Sequence, residues 1–123
     1  MKFTLRHGLC FVLLKVHYSN QIIKLNSIID TGSASSVLDI NLFAIDYSRR
    51  SEIKNMVGIG GKQEVLIQQV ERVEIGRILL NNIEIEFGDL ENRFQIEAIL
   101  GNDILNKLSA VIDYKRRQIS FCK

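Results

Sequence analysis

The chain contains no proline and no tryptophan. Without proline there is no polyproline segment and no Pro-stiffened linker. Cysteine and histidine are nearly absent too, at two each. Cys10 and Cys122 fit no zinc or redox spacing. Each reads as a small, buried apolar residue, and a disulfide between them is the other arrangement open to the sequence. His7 and His17, ten positions apart, offer no metal-ligand spacing and read as solvent-facing strand residues. No cofactor or metal is expected. Net charge is also small: 16 basic against 14 acidic residues leave +2, too little to point to a nucleic-acid partner. No apolar run approaches the roughly 20 residues of a spanning helix. Lys2, Arg6 and the run Leu9 to Leu14 loosely imitate a signal peptide. Lys15 interrupts that run and no small-residue cleavage site follows, so the segment reads as a strand of a soluble chain. Nothing in the sequence assigns a cellular location.

What remains is β-rich. The 123 residues are 46% apolar and 24% charged, which fits one globular domain over 1–123. Eighteen isoleucines and many valines favour pleated, half-buried surfaces. Residues 9 to 18 and 21 to 29 read as a hairpin turning at Ser19-Asn20. In its second strand Ile23, Leu25 and Ile29 share one face, while Lys24 and Asn26 take the other. A short helix is expected over 39 to 46, with Asp39 at its start. Residues 55 to 65 read as a hairpin with a low-bulk, glycine-bearing tip. Alternation resumes from Val65 to Phe87, with turns expected at Gly76-Arg77 and at Asn81-Asn82. Ile83, Ile85 and Phe87 then face one way and Glu84 and Glu86 the other, as in ordinary sheet patterning. After a polar loop come a strand, a helix over 103 to 108, and a last hairpin turning at Lys115-Arg116-Arg117. The expected fold is all-β, a closed barrel with one or two short helices.

Chemistry concentrates in residues 28 to 39, "IIDTGSASSVLD". Asp, Thr, Gly and Ser are good turn formers, so Asp30 alone could simply cap a turn. Its context argues for more. An apolar strand carries the carboxylate to a partly buried place, a glycine-bearing hairpin follows, and "AILGNDIL" stands near the end.

In these three motifs, taken in order, the sequence resembles the retropepsin-type aspartic proteases, single-lobed relatives of pepsin. The similarity spans roughly residues 9 to 121. The resemblance implies a closed acid-protease barrel with a flap hairpin, and Asp30 as the catalytic carboxylate. Thr31 is then expected to hydrogen-bond across to a partner loop, Gly32 to admit the substrate backbone, and Ser33 to donate to Asp30. Ala34 completes the active-site loop. Val57, Gly58, Ile59, Gly60 and Gly61 form the flap over the substrate. Ile99 and Leu100 pack beneath the active loop, and Gly101 permits a tight crossing there.

Such chemistry uses two carboxylates sharing one proton, one as base toward water and one as acid toward the amide. The chain has a single Asp-Thr-Gly. A symmetric homodimer would supply the second, and a peptide or protein is the expected substrate. Terminal segments 2 to 6 and 118 to 122 are expected to interleave between subunits, which would satisfy their edges. Asn102-Asp103 stand where many viral relatives carry Arg, so the dimer contacts built on that Arg are expected to be absent.

Other motifs carry less. "GIGGK" lacks phosphate-loop spacing, the Lys115-Arg117 cluster reads as a solvated turn, and Asp103 reads as a helix-start residue. Asp113 is given no catalytic part. The competing functional class is a catalytically silent module of the same fold, serving dimerisation or peptide binding. A plain structural β-barrel would leave the three motifs as coincidence.

Overall fold

The computed structural model describes residues 1–58 and 61–122. The fold is mostly β. Strand β1 (Thr4–Arg6) turns at His7-Gly8 into β2 (Leu9–Tyr18), which turns at Ser19-Asn20 into β3 (Gln21–Ile29). All four turn residues take positive φ, which suits two-residue hairpin turns whose twist matches the strands. Then follow β4 (Val37–Asp39), β5 (Ser51–Gly58), β6 (Gly61–Ile75), β7 (Ile78–Gly88) and β8 (Ala98–Leu100). Helix α1 (Asn102–Lys107) and the hairpin of β9 (Val111–Asp113) and β10 (Gln118–Ser120) complete the chain.

The main sheet runs β1-β2-β3-β8-β4-β7-β6-β5, and an additional β2–β6 pairing joins the two halves. Six strands, β2, β3, β8, β4, β7 and β6, therefore form a ring, with β1 and β5 attached outside it. Strand β6 makes this possible. Its fifteen residues pair with β5 near the start and with β7 and β2 further on.

The ring's two faces differ. Leu14, Leu25, Leu38, Phe87, Ala98 and Leu100 point into one continuous core. There Tyr18, Phe43 and Phe87 pack ring against ring, with centroids 5.1–5.9 Å apart. The alternate positions Ile28, Val37, Glu86 and Ile99 lie on the opposite face and are not members of that core.

Four sequence expectations change. The helix over 39 to 46 is only a single 3-10 turn, Ile40–Leu42; Asp39 ends β4 and caps this turn by accepting the Asn41 N–H. β-branched Ile40 and Ile45 are poor helix formers, and both pack against the core instead. Asn81-Asn82 is not a turn, because β7 continues through it. Asn82 takes φ +53°, and the pairing skips from Arg72–Asn81 to Val70–Ile83. Core-facing positions change step there, from Leu80 to Ile83 in β7 and from Val73 to Val70 in β6. The turn-like asparagines therefore mark a kink.

The termini also differ from the expected interleaving. Lys2 bridges Gln118, the Phe3 N–H donates to Arg117 C=O, and the Ile119 N–H donates to Met1 C=O. These pairings join the two termini within one chain. Cys10 is buried, whereas Cys122 is exposed, and both are free thiols. The last hairpin turns through 114 to 117, as its basic residues suggested. Among the described residues no helix is long and apolar enough to cross a membrane.

Candidate active site

Asp30 stands where β3 ends. Its N–H donates to the Leu100 C=O of β8 at 2.9 Å, continuing the parallel β3–β8 pairing by one bond. The chain then turns back on itself. Asp30 Oδ1 accepts the Gly32 N–H at 2.9 Å and its C=O accepts the Ser33 N–H at 3.2 Å. The carboxylate is half-buried, and Thr31 and Gly32 beside it are exposed. A Cβ on Gly32 would stand 3.2 Å from Asp30 Oδ1, so this glycine keeps the space beside the carboxylate clear.

Helix α1 clamps the loop from below. Ser33 C=O accepts the Asn102 N–H at 2.8 Å, and Ala34 C=O accepts the Asp103 N–H at 3.2 Å. Asn102 Nδ2 donates to Thr31 C=O at 2.7 Å. Asp103 accepts both the Ser36 N–H (3.0 Å) and the Ser36 hydroxyl (2.7 Å). Ser36 Oγ in turn accepts the Gly101 N–H at 2.9 Å. The crossing at Gly101 is close: a Cβ there would lie 2.5 Å from Ser35 O and 2.9 Å from Ser33 O. The β8–α1 junction and the Asp30 loop are thus built as one hydrogen-bonded unit.

Two expected roles look different in place. The Ser33 hydroxyl donates to Ser35 C=O at 2.7 Å and is engaged there rather than on Asp30. Leu100 is fully buried under the loop, but Ile99 is half-exposed on the opposite face, as the alternation of a strand requires. Ala34 is exposed in a groove shared with Thr31, Asn102, Asn106 and Ile112. Sequence reasoning missed Ser36, and Asp103 does more than open a helix. Both lie in the quoted motifs, yet only three-dimensional placement reveals their bond.

The hairpin of β5 and β6 closes on Gly58 paired with Gly61. Val57 precedes Gly58, the last residue of β5, Gly61 takes φ +110°, and Ile59 and Gly60 lie outside the described residues. Farther down, Gln63 Nε2 donates to Asp89 C=O and Lys54 Nζ lies 4.0 Å from Glu86 Oε2. No hydrogen bond among the described residues joins this hairpin to the Asp30 loop. A recess lined by Arg49, Arg50, Gln68, Glu71 and Glu84 contains none of the loop's residues. No cluster of three metal-binding side chains occurs among the described residues.

A strand-borne carboxylate on a glycine turn, clamped by the strand and helix near the other end of the chain, suits aspartic-protease-like chemistry. Comparison with known families agrees: residues 7–113 match the model of the retroviral aspartyl protease family, and the chain belongs to that family. No curated protein matches it.

Proposed function

We propose that the protein is an aspartic endopeptidase, active as a symmetric homodimer in which two Asp30 carboxylates face each other across the two-fold axis. The observation that carries this reading is the solitary Asp30. A framework of hydrogen bonds presents it half-buried, while the chain supplies no second Asp-Thr-Gly. A like loop from a second copy completes the pair. At close range the two carboxylates share one proton. The ionised member takes a proton from a water lying between them, and that water attacks the peptide carbonyl. The protonated member supplies the acid that the departing amide needs.

The rest of the fold supports the same reading. The six-strand ring is read as the acid-protease barrel, and the β5–β6 hairpin, including Val57 to Gly61, as the flap that covers a bound peptide. The open groove by Thr31 and Ala34 borders the loop where a partner would dock. Termini paired within one chain leave that loop as the main dimer contact, so the dimer is expected to be weak.

The test is a mixing experiment. Asp30→Asn is expected to keep the fold and lose activity by at least about 10²-fold, since the amide cannot act as a base. Wild type diluted with a threefold excess of Asp30→Asn chains is expected to retain roughly a quarter of its activity per wild-type chain, from random pairing. Full activity in the mixture, or in a species that sediments as a monomer, refutes the dimeric site. A folded wild type that binds peptides without cleaving them selects the catalytically silent module.

A further inference from the structure

Among the described residues, Glu86 alone leaves a buried side-chain polar atom without a hydrogen-bond partner. Its side chain is 7% exposed, and its Oε1 is buried with no hydrogen-bond partner among the described residues. Its Oε2 has one cationic neighbour, Lys54 Nζ at 4.0 Å, on a side chain that is 56% exposed. A buried carboxylate in this state is costly, because desolvation weighs against it and little is returned. A leucine there would fit the apolar surroundings better.

Its position is set by register. Ile28 pairs with Ile99, Ile99 with Val37, Val37 with Glu86, and Glu86 with Ile67. Directly paired residues share a face, so these five form one row across β3, β8, β4, β7 and β6. The row lies on the face turned away from the core. Asp30 follows Ile28 by two residues, which carries it to the same side. Lys54 stands on β5, in the hairpin above. Paired strands are about 4.8 Å apart, so Glu86 lies roughly 14 Å along the sheet from Ile28, three strands away on the strand that leads to Asp30. An extended peptide advances about 3.3 Å per residue. Glu86 therefore meets a side chain about four residues from the bond at Asp30.

We propose that Glu86 forms the floor of a substrate subsite that selects a lysine or arginine side chain. The proposal rests on the peptidase reading and names its substrate class. An ionised carboxylate only accepts hydrogen bonds, and its open Oε1 lacks the donor that an ammonium or guanidinium provides. Lys54, exposed and at the limit of ion-pair distance, occupies the site in the free protein. It swings aside when a substrate cation enters. The walls, Val37 and Ile67, contact the aliphatic stem of that side chain.

Two measurements on the full chain test this. Cleavage of a random peptide library by wild type should enrich Lys and Arg at one fixed position near the cut. Glu86→Gln and Glu86→Leu should abolish that enrichment, lowering kcat/KM for a basic peptide by about 10- to 100-fold relative to its leucine analogue, the range of a charge-assisted hydrogen bond. Lys54→Met should strengthen the enrichment. Peptides captured by Asp30→Asn protein provide a readout independent of turnover, and they should carry the same basic residue. Basic capture without any cleavage overturns the peptidase reading and leaves the subsite standing. Cleavage or capture without basic preference, a preference unchanged in Glu86→Leu, or no capture at all overturns the subsite.

Discussion

Replacing Gly101 by alanine adds one methyl group where the chain has no room for it. The new Cβ would stand 2.5 Å from Ser35 O, 2.7 Å from Ser35 C and 2.9 Å from Ser33 O. All three are backbone atoms of the Asp30 loop, so no side chain can rotate away. Relief requires the loop to move off the β8–α1 junction. Two bonds tie the pieces at this point, Gly101 N–H to Ser36 Oγ and Asn102 N–H to Ser33 C=O. Overpacking of this kind costs about 1–3 kcal/mol, and each lengthened bond adds up to about 1 kcal/mol. We expect a total near 3 kcal/mol, which for a domain of this size lowers Tm by roughly 10 °C. Peptidase activity should fall further than stability explains, because the displaced loop carries Asp30. Gly32→Ala is the control: its Cβ meets only the Asp30 side chain, at 3.2 Å. It should cost under about 1 kcal/mol in a urea titration yet still depress turnover. A Gly101→Ala protein that melts within 2 °C of wild type, by calorimetry at about that resolution, would refute the clamp.

Further predictions follow from the same interior. Ser36→Ala removes the hydroxyl between Asp103 and Gly101 and should cost about 1–3 kcal/mol; a rise in amide exchange at Gly101 checks it. Tyr18→Phe removes the donor to buried Gln68 and the acceptor of the Asp46 N–H. It should lower stability by about 1–3 kcal/mol, read from the urea midpoint at constant m. Hydrogen bonding and charge from Arg49 hold the Glu71 carboxyl below its ordinary range. Its folded pKa is then below the unfolded one, so this stabilisation exists above about pH 4.3 and fades as pH falls through the lower folded value. Arg49→Leu should flatten that acid loss, measured as Tm between pH 6 and 3, about the span of those transitions. On the proposed dimeric mechanism, peptidase activity should be bell-shaped with an acidic maximum at roughly pH 4–6, because a carboxylate pair of that kind works only with one shared proton; a flat rate through about pH 8 contradicts that.

Much of this was legible because local chemistry and global fold agree. Ser19-Asn20 is a hairpin turn both in composition and in its paired positive φ values. Ile23, Leu25 and Ile29 alternate toward the core as written. Illegible features arose where one residue answers to a distant partner. Asn81-Asn82 looks like a turn but is a kink shared with β6, whose pairing skips from Arg72–Asn81 to Val70–Ile83. Glu86 sits in a clean polar alternation, which a half-solvated strand would expose. Here Val37 and Ile67 flank it on both sides, and Glu86 is buried while Glu84 stays exposed. Ser33 shows the finer limit: a hydroxyl next to a carboxylate has several acceptors in reach, and a neighbouring carbonyl took it.

The parallel pairing of β3 with β8 has a kinetic consequence. Asp30 gains its framework from Leu100, Gly101 and Asn102, and the Thr31–Asn102 bond spans 71 positions. None of those contacts can form until nearly the whole intervening chain has been gathered. Closing so long a loop costs entropy before any bond returns it, and chains dominated by distant pairings fold in milliseconds to seconds. The hairpins β2–β3 and β6–β7 close locally and can form early, whereas the loop bearing Asp30 is expected to assemble last. A nascent chain therefore passes through a stage with β3 and β4 edges uncovered, when it is most prone to aggregate. Destabilising the β8 junction should slow refolding more than changes within either hairpin, and hydrolytic competence should appear only with the final phase.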